Sequence, residues 1–310
     1  LGNLLGAAIQ LPLIPHMKLH GIFSPITTPF NHEGELWKVK VQHNVEKWNA
    51  TGLSGYVVVA STGESVMLDT DEKIQLWEWV AQWAAPEKLL IAGTGMDSVH
   101  QTVALTNRAA DVGYKAALVK TPSFFKGQFS KPETQMLFFR AVADQAKIPV
   151  LLYNFPQNTG IDLAAEAVAE LSCHPNIMGI KESSGNVEKL LQMVRETKKG
   201  FQVLTGSATT LAPSLAIGCS GGILAFANPA PYATISIWEA HRTREPEAAL
   251  DWQNRIGRAA KLVTTKYGIG GLKYAMDLTG YYGGPPRLPL TVPTPAAKQE
   301  IEEAFAELRG

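Results

Sequence analysis

Short apolar runs recur along the chain, separated by longer stretches in which apolar positions return at helical spacing. The runs are Gly21–Ile26, Gly55–Ala60, Leu89–Ala92, Ala116–Lys120, Val150–Asn154, Ile177–Lys181, Gln202–Thr205 and Gly222–Phe226. They are rich in Val, Ile and Leu and do not strictly alternate, which predicts parallel strands buried on both faces. Helical patterns lie between them at Asp71–Ala84, Ser98–Asp111, Lys131–Ala146, Leu163–Leu171, Val187–Glu196 and Ala208–Ile217. The strand starts recur roughly every 20 to 35 residues, the size of a strand-plus-helix unit. Eight units predict an α/β fold, a (β/α)8 TIM barrel.

Beyond the last run the pattern changes. Tyr232–His241, Glu247–Lys266, Gly270–Leu278 and Pro295–Leu308 all read as helix, with Gly283-Gly284-Pro285-Pro286 and Pro289 breaking the last interval. The expected organisation is a barrel over residues 17–230 and a C-terminal helical extension over 231–310, with no second independent domain. The rival is a doubly wound open sheet. Against it, no G-x-G-x-x-G follows the first run, and polar residues sit at many strand ends rather than at one switch point. Residues 1–16 are apolar but have no basic n-region and no initiating Met, and His16-Met17 precedes the first run. They read as a cloning remnant ahead of a native start at Met17.

The strand ends carry the chemistry. In chain order they are Thr27-Thr28, Ser61-Thr62, Thr94, Thr121, Tyr153-Asn154, Lys181-Glu182, Thr205 and Asn228, and in a barrel they converge on one face. A lone Thr at such a place is usually a turn or cap residue. Lys181 is different. It ends the run Ile177-Met178-Gly179-Ile180, where its charged form is costly and its pKa falls. A lysine of lowered pKa attacks carbonyls, so Schiff-base chemistry with a 2-oxo acid is the leading reading. The plainer alternative is a lysine that snorkels outward and pairs with Glu182. An iminium needs a proton shuttle, for which Tyr153 is the candidate; it also fits a barrel tyrosine with a satisfied hydroxyl. Ser61-Thr62-Gly63-Glu64 offers hydroxyls and backbone N–H groups for a carboxylate, and also fits a helix N-cap.

Composition narrows the classes. The 310 residues are 45% hydrophobic and 18% charged, with 28 basic residues balancing 28 acidic ones. With no basic block, neither nucleic acid nor an anionic membrane surface is an expected partner. No apolar run reaches membrane-spanning length. Two cysteines, Cys173 and Cys219, exclude a disulfide framework and fit a reducing, cytoplasmic setting. The histidines are scattered without ligand spacing, so no metal and no separate cofactor is expected.

Together these motifs resemble the dihydrodipicolinate synthase / N-acetylneuraminate lyase family of class I aldolases. The residues that carry the likeness are Thr27-Thr28-Pro29-Phe30, Ser61-Thr62-Gly63-Glu64, Tyr153-Asn154-Phe155-Pro156 through Gly160, and Gly179-Ile180-Lys181-Glu182-Ser183-Ser184-Gly185. Gly206-Ser207 and Gly221-Gly222-Ile223 extend it. The resemblance implies that Lys181 forms the Schiff base with pyruvate or a pyruvate-end substrate. It implies that Tyr153 relays protons and that Ser61 and Thr62, beside Gly63, orient the carboxylate. Gly206 and the backbone of Ile223 would line the pyruvate end, Asn158 would face the far end of the substrate, and the assembly would be a homotetramer.

Two departures bear on the branch. Dihydrodipicolinate synthases usually carry Arg where this chain has Asn158, and Asn cannot replace a bidentate guanidinium. Pro156 through Leu163, His174-Pro175-Asn176-Ile177 and Gly268-Ile269-Gly270-Gly271-Leu272-Lys273 instead resemble 4-hydroxy-2-oxoglutarate aldolases. Second, relatives place a Tyr near Phe124, donated across a subunit interface; Phe has no hydroxyl. The expected activity is metal-free cleavage of a 4-hydroxy-2-oxo acid, best 4-hydroxy-2-oxoglutarate, to pyruvate and an aldehyde. The alternatives are dihydrodipicolinate synthesis, cleavage of a 2-oxo-3-deoxy sugar acid or sialic acid, and a silent pyruvate-binding relative.

Overall fold

The structure, a computed structural model, describes residues 17–309; the expected cloning remnant at 1–16 lies outside the described residues. Eight strands close a parallel barrel in chain order: β1 Gly21–Pro25, β2 Gly55–Val58, β3 Leu89–Gly93, β4 Ala116–Lys120, β5 Val150–Asn154, β6 Ile177–Glu182, β7 Gln202–Thr205 and β8 Gly221–Ile223. β1 pairs with both β2 and β8, so no strand edge is left open. The open-sheet alternative is excluded.

Strand side chains split between two environments, as the two-residue period requires. Phe23, Val57, Ile91, Leu118, Leu151, Tyr153, Leu204 and Ile223 fill the barrel interior. Their neighbours Ile22, Val58, Ala92, Val119, Leu152, Ile180 and Val203 face the surrounding helices. Both faces are dry, which is why the strands read as continuous apolar runs. The helices between strands start on local signals. The Thr70–Trp83 helix has a reciprocal capping box, in which Asp69 Oδ1 accepts from Glu72 N at 2.8 Å and Glu72 Oε2 accepts from Asp69 N at 3.0 Å, an arrangement that contributes about 1 kcal/mol.

Two local expectations differ. The run expected as a strand over Gly222–Phe226 leaves the sheet after Ile223, because Ala225–Ala227 wind into a 3-10 turn. Asn228 holds that turn, donating to Pro25 O and Ala225 O while its Oδ1 accepts from Thr27 N. The Lys38–Asn49 helix was not among the predicted ones; its opening Lys-Val-Lys-Val alternates as a strand does, yet Val41, Val45 and Trp48 bury one helical face.

After β8, the Pro231–Arg242 helix packs on β1. The Pro246–Lys261 helix continues into a π-helical turn, Leu262–Lys266. The Gly268–Leu278 helix follows, and Pro295–Arg309 packs on both of the preceding long helices. These helices bring the π-turn and the start of Gly268–Leu278 over the C-terminal ends of the strands.

Candidate active site

β5 and β6 pair in register so that Tyr153 stands beside Lys181. Both belong to the layer of side chains at the carboxyl ends of the strands, facing a cavity of about 530 Å3. Lys181 is 4% exposed. Its Nζ lies 4.2 Å from the centroid of the Tyr153 ring, and among the described residues no carboxylate pairs with it. Burial alone pulls its pKa from 10.5 down to about 7. At neutral pH a large fraction of Lys181 is therefore the free amine, the nucleophilic form.

The pairing of Lys181 with Glu182, weighed from the sequence, does not occur. Successive strand residues point to opposite faces, so Glu182 turns outward. Its fully buried carboxylate accepts from Asn154 Nδ2 at 2.7 Å and from Ser184 N at 2.6 Å, and Lys189 Nζ stands 3.5 Å away. The same network ties Asn154 to Asp162 at 2.7 Å. It fixes the loops after β5 and β6 on either side of the cavity.

Tyr153 is buried, and burial pushes its pKa up to about 12, against the opposing pull of the neighbouring Ser61 and Ser183 hydroxyls. It is a protonated donor at neutral pH. Its Oη donates to Ser61 Oγ at 3.4 Å, a long bond that a small movement tightens. Phe155 stacks on the Tyr153 ring, with centroids 5.8 Å apart and planes 23° from parallel. Ser61 and Tyr153 also line a second cavity of about 280 Å3 with Lys73, Asp97 and Lys120, so their contact divides the two spaces.

Ser61 and Thr62 lie on the 3-10 turn Ser61–Gly63 and both line the Lys181 cavity, as do Asn158 and Gly206. Gly206 is needed for close approach: a Cβ there would fall 1.8 Å from Ser183 Oγ. Gly63 is buried in the turn beneath them, with its carbonyl accepting from Thr28 Oγ1 at 2.6 Å. Ile223 sits in β8 with its side chain in the barrel interior, and its side chain is not part of the cavity wall. Phe124 is 77% exposed, and its ring meets Phe125 edge to face; neither lines the cavity.

Sequence reasoning missed two groups. Ser183 lines the cavity, and its hydroxyl oxygen is out of solvent on the side of Tyr153; its place two residues after Lys181 was the available signal. Val263, Thr264, Thr265, Gly268, Ile269 and Leu272 close the cavity from the C-terminal helices. The π-turn that presents three of them is a form concentrated at functional sites, but no local pattern marks it. Among the described residues, no group of three His, Cys, Asp or Glu side chains is placed to hold a metal ion, and no helix is long and apolar enough to cross a membrane.

The sequence profile of the Dihydrodipicolinate synthetase family matches residues 18–308. A 4-hydroxy-tetrahydrodipicolinate synthase of Methanothrix thermoacetophila is 33% identical over 93% of this chain and 96% of its own. A probable mitochondrial 4-hydroxy-2-oxoglutarate aldolase of Emericella nidulans is 33% identical over 96% and 95%. Among solved structures, the chloride-inhibited dihydrodipicolinate synthase of Acinetobacter baumannii, complexed with pyruvate, superposes with a TM-score of 0.90 at 27% identity, covering 94% of this chain and 99% of its own. A (β/α)8 barrel of this kind, with a buried amine at the end of β6, is that of a class I aldolase, a carbon–carbon lyase. The chain belongs to the dihydrodipicolinate synthase family.

Proposed function

We propose that the protein cleaves a 4-hydroxy-2-oxo acid, best 4-hydroxy-2-oxoglutarate, to pyruvate and an aldehyde through a Schiff base on Lys181. The carrying observation is the free-amine tendency of Lys181 in the cavity beside the Tyr153 ring. Lys181 Nζ adds to the 2-oxo carbon, and loss of water gives the iminium. Tyr153 Oη takes the C4-hydroxyl proton while passing its own to Ser61 Oγ, and Ser61 releases its hydroxyl proton to the solvent of the cavity, from which C3 is later protonated. The C3–C4 electrons flow into the iminium, the aldehyde leaves, and an enamine remains. Protonation at C3 and hydrolysis release pyruvate and the free lysine. Ser61 and Thr62 receive the substrate carboxylate, and Ser183 supplies a further hydroxyl. Gly206, the Gly63 turn and the Ile223 backbone shape the pyruvate end.

Asn158 supports cleavage over synthesis. Lys181 is the one charged residue among those lining the cavity, so the bidentate guanidinium grip of a synthase on its aldehyde's carboxylate is missing, and the C5 carboxylate of 4-hydroxy-2-oxoglutarate is left to Asn158 and the neighbouring hydroxyls. The likeness to the Emericella nidulans aldolase points the same way. A second reading has its own support. Ser184, Ser207, Thr209, Thr264 and Thr265 ring the cavity mouth, and hydroxyls suit the polyhydroxylated, uncharged tail of a 2-oxo-3-deoxy sugar acid. The proposed setting is cytoplasmic, supported by two free thiols. The proposed assembly is a homotetramer, supported by Phe124 and Phe125, whose apolar rings stand 77% and 64% exposed and would be covered by another copy; light scattering of a monomer would sink it.

Borohydride reduction in the presence of pyruvate, followed by peptide mass spectrometry, tests the chemistry. A pyruvate adduct on Lys181 is expected. No adduct in folded, pyruvate-saturated protein removes the iminium mechanism. A lactate dehydrogenase-coupled panel of 4-hydroxy-2-oxoglutarate, 2-oxo-3-deoxy sugar acids and sialic acid then separates the substrates, with a pyruvate-plus-aspartate semialdehyde condensation assay run beside it for the synthase.

A further inference from the structure

One buried ion pair joins the barrel to the C-terminal helices directly beneath the site. Glu64 follows Ser61-Thr62-Gly63, and its backbone is left-handed, with φ of 57°, a conformation uncommon for a residue with a side chain. Its carboxylate is held at both oxygens. Oε1 lies 2.6 Å from Lys273 Nζ, with both side chains fully buried, and Oε2 accepts from Arg287 N at 2.8 Å. Lys273 Nζ donates further to Thr28 O at 2.8 Å and to Pro285 O at 3.0 Å. Thr28 in turn donates its hydroxyl to Gly63 O. The Ser61–Gly63 turn is thus held from two sides, and both holds end on Lys273. The residue before it, Leu272, forms cavity wall.

A buried ion pair is a weak source of net stability, because desolvation offsets the attraction. Its fixed distance, however, suits holding a turn in register, where an apolar contact of the same size would let the turn slide. We propose that Glu64 and Lys273 are positioning residues, whose ion pair fixes the Ser61–Thr62 turn at the place where it receives the substrate carboxylate. The C-terminal helix that carries Lys273 then belongs to the catalytic apparatus. The inference rests on the reading of Ser61 and Thr62 as the carboxylate site.

The test compares reductive trapping of Lys181 by pyruvate and by acetone, a ketone without a carboxylate. In Ser61→Ala/Thr62→Val, the pyruvate-to-acetone ratio is expected to fall by about tenfold or more, the loss of hydrogen bonds to a charged group. Glu64→Gln and Lys273→Met are expected to lower the ratio by a similar factor while the acetone rate holds. A merely structural cross-link would lower both rates together and leave the ratio unchanged. A ratio that falls in the Ser61/Thr62 variant but not in the Glu64 and Lys273 variants overturns the proposal and leaves the carboxylate reading intact. A ratio unchanged in the Ser61/Thr62 variant overturns both. Removing one partner strands a buried charge, so Glu64→Gln/Lys273→Met, which strands none, is measured alongside. A lowered ratio in that folded variant supports the proposal, and a wild-type ratio defeats it.

Discussion

Replacing Lys181 with Met keeps the length of the side chain and removes its titration, which makes the cost of the buried amine measurable. Lys181 falls from 10.5 to about 7 on folding because its ammonium is taken out of water. A fall of about 3.5 pH units corresponds to roughly 5 kcal/mol, the full cost of the protonated form in the fold. Between about pH 7 and 10.5 the unfolded chain holds a proton at this position and the folded protein does not. Stability at this site therefore rises with pH across that window, and the penalty is complete only below about pH 7. The difference between wild type and Lys181→Met isolates this group from all others that titrate. The Met variant is expected to be the more stable, by roughly 5 kcal/mol at pH 6 and by roughly 2 kcal/mol at pH 9. The attraction between the Lys181 ammonium and the Tyr153 ring, absent from the variant, subtracts about 1 kcal/mol at pH 6 and nothing at pH 9, where the folded amine is neutral. Urea unfolding of both proteins at matched protein concentration, at pH 6, 7, 8 and 9, reads the difference directly. A gap that stays constant with pH, or widens as pH rises, would refute the argument that desolvation sets the amine's pKa. Lys181→Met should also have no aldolase turnover at any pH.

Other outcomes follow from the same geometry. The kcat/KM for cleavage is expected to rise through about pH 7 as Lys181 loses its proton and to show no fall up to pH 9, since Tyr153 titrates only at about 12; a flat profile from pH 6 to 8 in the coupled assay contradicts it. Tyr153→Phe keeps the stack on Phe155 and the face toward Lys181 but removes the relay hydroxyl. Its Lys181 adduct with pyruvate should persist while kcat drops about 10²- to 10⁴-fold, and a near-normal kcat would remove Tyr153 from the relay. Asn158→Arg adds a guanidinium to a wall that has none, and condensation of pyruvate with aspartate semialdehyde is expected to gain about tenfold relative to cleavage of a 2-oxo-3-deoxy sugar acid, whose tail is uncharged; an unchanged ratio would show that this position does not read the far end of the substrate.

Much of the molecule was legible in the chain because its signals are local. Parallel strands buried on both faces leave continuous apolar runs, and six of the eight expected runs coincide with β1 and β3 to β7 to within one residue at each end. Lys181 stands out because a charged residue at the end of such a run is anomalous by itself. Tyr153 and Ser61-Thr62 follow from the rule that strand ends converge. What the sequence could not decide depends on neighbours far along the chain. The free-amine tendency of Lys181 requires that Glu182 turn to the outer face and that no other carboxylate approach, and desolvation sums over every surrounding element rather than over a motif. The cavity wall from Val263 to Leu272 is supplied by helices that are unremarkable until they are packed over the strand ends. Ser183 brings its buried hydroxyl to Tyr153 only because the loops after β6 and β7 meet there. The Glu64–Lys273 pair is invisible until the fold removes both side chains from water, for a buried charge must find its partner in space, wherever that partner lies in the chain.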